Sequence, residues 1–259
     1  MLAIIKEFLG IGGYTREPEG YLSWQHLVFV TSLMIIMVIL ATVAGKKQRN
    51  KLIKEKNKPL IAAALVMDIS EILKIVFLCF INNDPLRWIY DLPLFLCSIQ
   101  MITIPVAAFS KGRLKDICLD FIFVFGLLGA ILGTYAAGNN YAAYPVISLQ
   151  NVVSGITHST AGFAALYVAI SGMISMKKKN IISTCAILTV FCVAAYTVNC
   201  FTDCNYMFMM RGDGTPYDIL YNLVGGNPVL YPVLVVLLFF IYIIAFYSVY
   251  YLIAKRVKK

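Results

Sequence analysis

Two side chains in this sequence combine reactivity with an unusual setting. His158 lies inside the apolar run Ile147–Ile174, and Cys97 lies inside the apolar stretch that follows Tyr90. An imidazole in lipid-facing sequence is costly to keep and exchanges protons near neutral pH, so it is a functional candidate in its own right. The chain has only one other histidine, His26. A thiol within reach of an imidazole can become a thiolate nucleophile, which is the chemistry of acyl transfer through a thioester. Taken singly, a membrane cysteine is usually a small hydrophobe, and a membrane histidine is often an interhelical hydrogen bond.

Other polar groups share these segments. Asn151, Ser154 and His158 form a stripe at i, i+3, i+7 that continues to Gly162; small and polar residues so spaced predict close helix contact. Cys97 and Gln100 fall on one helix face, and Pro93 and Pro105 predict a kinked span around them. Gln100 and Asn151 are candidate donors to an oxyanion. Asp68, Glu71 and Lys74 follow one another at i, i+3, i+6, with Glu71 and Lys74 able to pair. They read as a structural ion cluster that locks helices, or as a proton or cation relay lining a cavity. His26, beside Trp24, reads as an interfacial anchor. Cys200 and Cys204 are close enough in sequence for a disulfide; the seven cysteines include no CxxC pair, so no metal site is expected.

The elements that must hold these groups follow from composition. The 259 residues are 60% hydrophobic, with mean hydropathy +0.80, more apolar surface than a soluble core can use. The expectation is an all-α membrane protein, a single domain of about seven spans at 24–44, 59–82, 90–109, 117–137, 147–174, 181–201 and 232–254. On that reading Cys97 sits about 10 Å and His158 about 15 Å below the same membrane face. Residues 1–23 are expected to form a short interfacial helix followed by a Gly/Pro turn.

The net charge of +9 sits in clusters between spans rather than in a phosphate-binding groove, so no nucleic-acid partner is expected. Lys46–Lys58, Lys111–Lys115, Lys177–Lys179 and Lys255–Lys259 hold 17 of the 22 Lys and Arg, and seven spans put all four on one side. The positive-inside rule then places the N-terminus outside and the C-terminus in the cytoplasm of a multi-pass cell-membrane protein. The loop Thr202–Tyr231, rich in Asn, Asp, Gly, Tyr and Pro, is expected to fold back over the helix mouths, bringing Asp203, Asn205 and Tyr206 over the site.

Leu92-Pro-Leu-Phe-Leu-Cys-Ser98, His158 two spans later and Asn205-Tyr-Met-Phe208 together resemble the YwaF-like bacterial integral membrane proteins and their eukaryotic relatives, the transmembrane protein 164 family. The resemblance runs from about Gln25 to the last span. It implies a phospholipid acyltransferase in which Cys97 and His158 are the essential residues, although the family often carries histidine where this chain has Phe95. The expected partners are membrane phospholipids or lysolipids, with water an alternative acceptor; no cofactor is expected, and the oligomeric state is open. Two rival readings stand beside it: a transporter or solute-binding protein using Asp68, Glu71, Lys74 and His158, and a scaffold whose polar residues only join helices.

Overall fold

The computed structural model describes residues 1–257 and is helical, with no strand among them. Five stretches are long and apolar enough to cross a membrane: Trp24–Gln48, Gly112–Ala143, Leu149–Ile170, Asn180–Phe201 and Leu230–Arg256. A sixth helix, α3 (Ile53–Ile81), spans 29 residues, about 44 Å at 1.5 Å per residue, but holds Asp68, Glu71 and Lys74 along its length. Leu65, Ile69, Ile72, Leu73 and Val76 are exposed on α3, as are Ile35, Ile36, Ile39 and Val43 on the helix before it, which suits surfaces solvated by lipid.

Span three departs most from expectation. Its helix, α4, is confined to Gln100–Phe109, preceded by a 3₁₀ turn at Arg87–Asp91 and a non-helical stretch from Leu92. The cause is local. Pro93 has no N–H, and the residue before a proline is pushed out of the helical region; Leu92 is extended at φ −60° and ψ 148°. The Ser98 hydroxyl then accepts from the Phe95 N–H at 3.0 Å and donates to the Phe95 carbonyl at 3.1 Å, a side-chain turn that competes with the helical ladder. Hydropathy does not register either effect.

The described residues group into two compact units: 1–92 with 100–174, and 93–99 with 175–257. The first unit comprises α1 (Leu2–Leu9), α2 (Trp24–Gln48), α3, α4, α5 (Gly112–Tyr135), α6 (Gly138–Ala143) and α7 (Leu149–Ile170). In it α5 packs on α7 and α4, and α7 also meets α2 and α3. The core is small-residue packing: Ala63 and Ala64 of α3, Ala107 and Ala108 of α4, and Ala161 and Ala164 of α7, with Leu60, Ile104, Leu119, Ile122 and Tyr167 between them. A Cβ at Gly126 would lie 2.7 Å from the Ala161 carbonyl oxygen, and one at Gly162 2.3 Å from Met37 Sδ, so the α7 stripe does seat neighbouring helices at close range. At one end, Asn57 Nδ2 donates to the Ala108 carbonyl, Lys115 to Asn57 Oδ1, Tyr167 OH to the Lys56 carbonyl and Lys56 to the Ser171 carbonyl, each at 2.8 Å. At the N-terminus Glu7 accepts from the Arg16 and Thr15 backbone N–H groups and the Thr15 hydroxyl, which together hold its carboxyl below the usual carboxylate range.

His26, read from its position beside Trp24 as an interfacial anchor, anchors backbone from within the protein. It is fully buried: Nδ1 accepts from the Leu22 N–H at 3.2 Å, and Nε2 lies 3.1 Å from the Thr134 carbonyl. A backbone N–H only donates, so Nδ1 bears the lone pair and Nε2 the hydrogen, and the ring latches the start of α2 to α5. His26→Phe strands both backbone groups. A loss of about 1–3 kcal/mol in the thermal or denaturant stability of the purified protein is expected, and unchanged stability would contradict the latch.

The second unit comprises Pro93–Ile99, α8 (Asn180–Phe201), α9 (Asp218–Leu223) and α10 (Leu230–Val257). The loop after α8 packs back on the helices as anticipated: Tyr206, Met207 and Met209 are buried. Neither Cys200 nor Cys204 is in a disulfide, so the bridge that their spacing allowed is not formed.

Candidate functional site

Within the first unit the polar groups converge on Lys74. Its ammonium pairs with Glu71 one turn earlier on α3 and with Asp91 Oδ1 at 3.0 Å, from the 3₁₀ turn that leads into Leu92 and Pro93. All three side chains are 85% or more buried. The expected cluster thus exists with a different membership: Asp91 joins it, whereas Asp68 has a buried carboxylate oxygen without a partner. A carboxylate–ammonium–carboxylate group costs several kcal/mol per ion to desolvate and repays it by fixing geometry. What it fixes is the end of α3 against the chain that continues into the Leu92–Ser98 motif.

His158 is carried by α7 in the same unit. Its ring lies against the backbone of α5. A Cβ built on Gly133 would fall 2.1 Å from Cε1, 2.2 Å from Nδ1 and 2.4 Å from Nε2. The imidazole therefore occupies a recess that only glycine at 133 leaves open. Ser154, one turn before it, is half-buried, and its carbonyl accepts from the Thr157 hydroxyl at 3.0 Å.

The two candidate oxyanion donors differ. Asn151 is fully buried, and its amide nitrogen is spent on the carbonyls of Tyr144 (3.1 Å) and Pro145 (3.0 Å). It clamps the loop ahead of α7 and has no donor to offer. Gln100 is also fully buried; its Oε1 accepts from the Thr103 hydroxyl at 3.0 Å, while its Nε2 has no hydrogen-bond partner. A buried amide with idle donors is expensive unless something accepts from it.

In the second unit, Cys97 is half-buried in the turn of residues 96–99, three residues ahead of Gln100, and its thiol is free of any disulfide. It is therefore on a turn rather than on the helix face that the sequence suggests. The turn is held by an aromatic chain: Phe95 packs on Tyr206 at 4.9 Å and on Phe208 at 6.2 Å, and Phe208 stacks on Tyr217 at 5.0 Å. This contact joins the two sequence motifs, Leu92–Ser98 and Asn205–Phe208, and gives Phe95 a packing role.

Asn205 and the Tyr206 backbone hold the loop together. Asn205 Nδ2 donates to the Arg211 carbonyl and to Asp213 Oδ2, both at 2.7 Å, and its Oδ1 accepts from the Met210 N–H at 2.9 Å. Asn199 of α8 closes a reciprocal pair with the Tyr206 backbone, at 2.8 and 3.0 Å. These bonds hold Met207 and Phe208 at φ 55°, a left-handed conformation unfavourable for side chains of that size. Asp203 is exposed. Asn205→Ala should cost about 1–3 kcal/mol and expose the loop to proteolysis; wild-type resistance to limited digestion would contradict this role.

Sequence reasoning missed Asp91, Asn199 and Gly133. Gly133 did leave a signal, Gly126-x-x-Gly129-x-x-x-Gly133, small residues near one helix face. Among the described residues no three His, Cys, Asp or Glu side chains gather as a metal site. No curated protein and no solved structure matches the chain. The model of the TMEM164 family matches residues 21–250, nearly the whole length, and the chain belongs to that family of integral membrane proteins.

Proposed function

We propose that this protein moves acyl chains between membrane lipids, with Cys97 as nucleophile and His158 as general base. His158 takes the Cys97 proton. The thiolate attacks the ester carbonyl of a phospholipid, the ester C–O bond breaks, and the departing lysolipid oxygen takes the proton back from the imidazolium. The product on the protein is a Cys97 thioester. His158 then deprotonates the hydroxyl of a lysolipid acceptor, that oxygen attacks the thioester, and the thiolate leaves and is reprotonated. Water in place of the acceptor gives hydrolysis by the same steps. Gln100, with an uncommitted amide nitrogen, is the donor to each oxyanion. The reaction uses lipid from the outer half of the bilayer.

The observation that carries this reading is the setting of Cys97. It lies on a turn closed by the Ser98–Phe95 hydrogen bonds and held by the packing of Phe95 on Tyr206, the rigid support that a nucleophile needs. Membership of the family over residues 21–250 supports it further. The test is transfer of a labelled acyl chain from a diacyl phospholipid to a lysolipid by purified protein. Labelled diacyl product, or labelled fatty acid from hydrolysis, is expected; the absence of both across lipid classes would contradict the proposal.

One observation favours a second reading, proton- or cation-linked transport: the buried, unpartnered carboxylate oxygen of Asp68 in the middle of α3. Transport predicts that Cys97→Ala is tolerated and Asp68→Asn is not. Acyl transfer predicts the reverse.

A further inference from the structure

Whatever the acceptor, a general base must present a lone pair in one direction, which requires one ring orientation. An imidazole on a membrane helix has none by default, because its ring turns about χ2. Here the ring is stacked on the α5 backbone at Gly133, with Cε1, Nδ1 and Nε2 all within 2.4 Å of where a Cβ would stand. We infer that Gly133 is the positioning element of His158: the glycine makes the slot that sets the ring plane, so that a ring nitrogen is presented in one direction.

The slot is specific to Gly133. Gly126, two turns earlier on the same helix, instead makes room for the α7 backbone, with the Ala161 carbonyl 2.7 Å from where a Cβ at 126 would stand. A methyl at 126 presses on packing; a methyl at 133 presses on the imidazole. The inference rests on the acyl-transfer reading for its catalytic meaning, but its structural content lies wholly within the first unit.

The chain carries only two histidines, so ¹⁵N-histidine NMR of the protein in bilayers resolves the question directly. His26 is assigned from the spectrum of His26→Phe. Gly133→Ala should shift or broaden both His158 resonances and leave those of His26 in place, while Gly126→Ala should leave the His158 pattern unchanged. In the acylation assay Gly133→Ala should slow formation of the Cys97 adduct about 100-fold, the scale of a 1 Å misplacement, with little change in lipid KM. A Gly133→Ala spectrum matching the wild type overturns the inference. Should no adduct form even in the wild type, the acyl-transfer reading falls, while the NMR result still decides the positioning.

Discussion

Cys97→Ala is expected to abolish acyl transfer, and His158→Ala to slow it by about 10²–10⁴-fold, the usual contribution of a general base. The two variants differ in kind. Alanine at 97 removes the atom that carries the acyl group, leaving no thioester to form. Alanine at 158 leaves the thiol but no local base, so the residual rate should climb with pH as the fraction of thiolate rises towards that of a free cysteine. The check is labelled-chain transfer by each purified variant between about pH 6 and 9, beside a thermal melt to confirm folding. Cys97→Ser should rescue little, since a hydroxyl is far less acidic than a thiol. Full turnover by Cys97→Ala would remove the nucleophile from the account. A well-folded His158→Ala with a wild-type rate and pH profile would remove the base.

The largest effect on stability is expected at Lys74. Methionine there keeps most of the volume but leaves Glu71 and Asp91 as uncompensated buried carboxylates, which for a broken buried pair costs about 3–5 kcal/mol. The triple variant Lys74→Met, Glu71→Gln, Asp91→Asn removes all three charges together and should recover most of the loss. Such non-additivity is the signature of one network. Stability is read by denaturant or thermal unfolding in a fixed detergent. The triple variant also separates the readings of function: acyl transfer needs the network as a support and predicts partial retention of activity in neutral isosteres, whereas transport through these charges predicts none. If Lys74→Met melts like wild type, the ion cluster is not structural and its charges are free for another task.

Much of the architecture is written in hydropathy, and the departures have local causes. α2, α5, α7, α8 and α10 begin within about five residues of the expected spans because an apolar run of the right length admits few other solutions in lipid. Span three escapes because hydropathy is blind to backbone conformation: Pro93 and the Ser98–Phe95 turn break the helix while every side chain stays apolar enough to belong to one. Glu71–Lys74 is legible as an i, i+3 pair, but Asp91 is not, since its partner lies seventeen residues away. The oxyanion candidates are legible as residue types; only their hydrogen bonds separate Asn151, whose amide nitrogen is engaged, from Gln100, whose amide nitrogen is idle. Asn205 invites a role in a site by its residue type; that it also ties the loop to itself is visible only in its hydrogen bonds.

Supports of different kinds hold the two reactive groups. Phe95 packing holds the turn of Cys97, and Gly133 of α5 makes room for the ring of His158. The most direct test is intact-protein mass spectrometry after incubating the purified protein with mixed phospholipids, with and without hydroxylamine. The account predicts an acyl-sized mass increase that hydroxylamine removes, that maps to Cys97, and that is lost in His158→Ala. An unmodified Cys97, freely alkylated after exposure to every lipid class, would contradict it and shift the weight to Asp68 and transport.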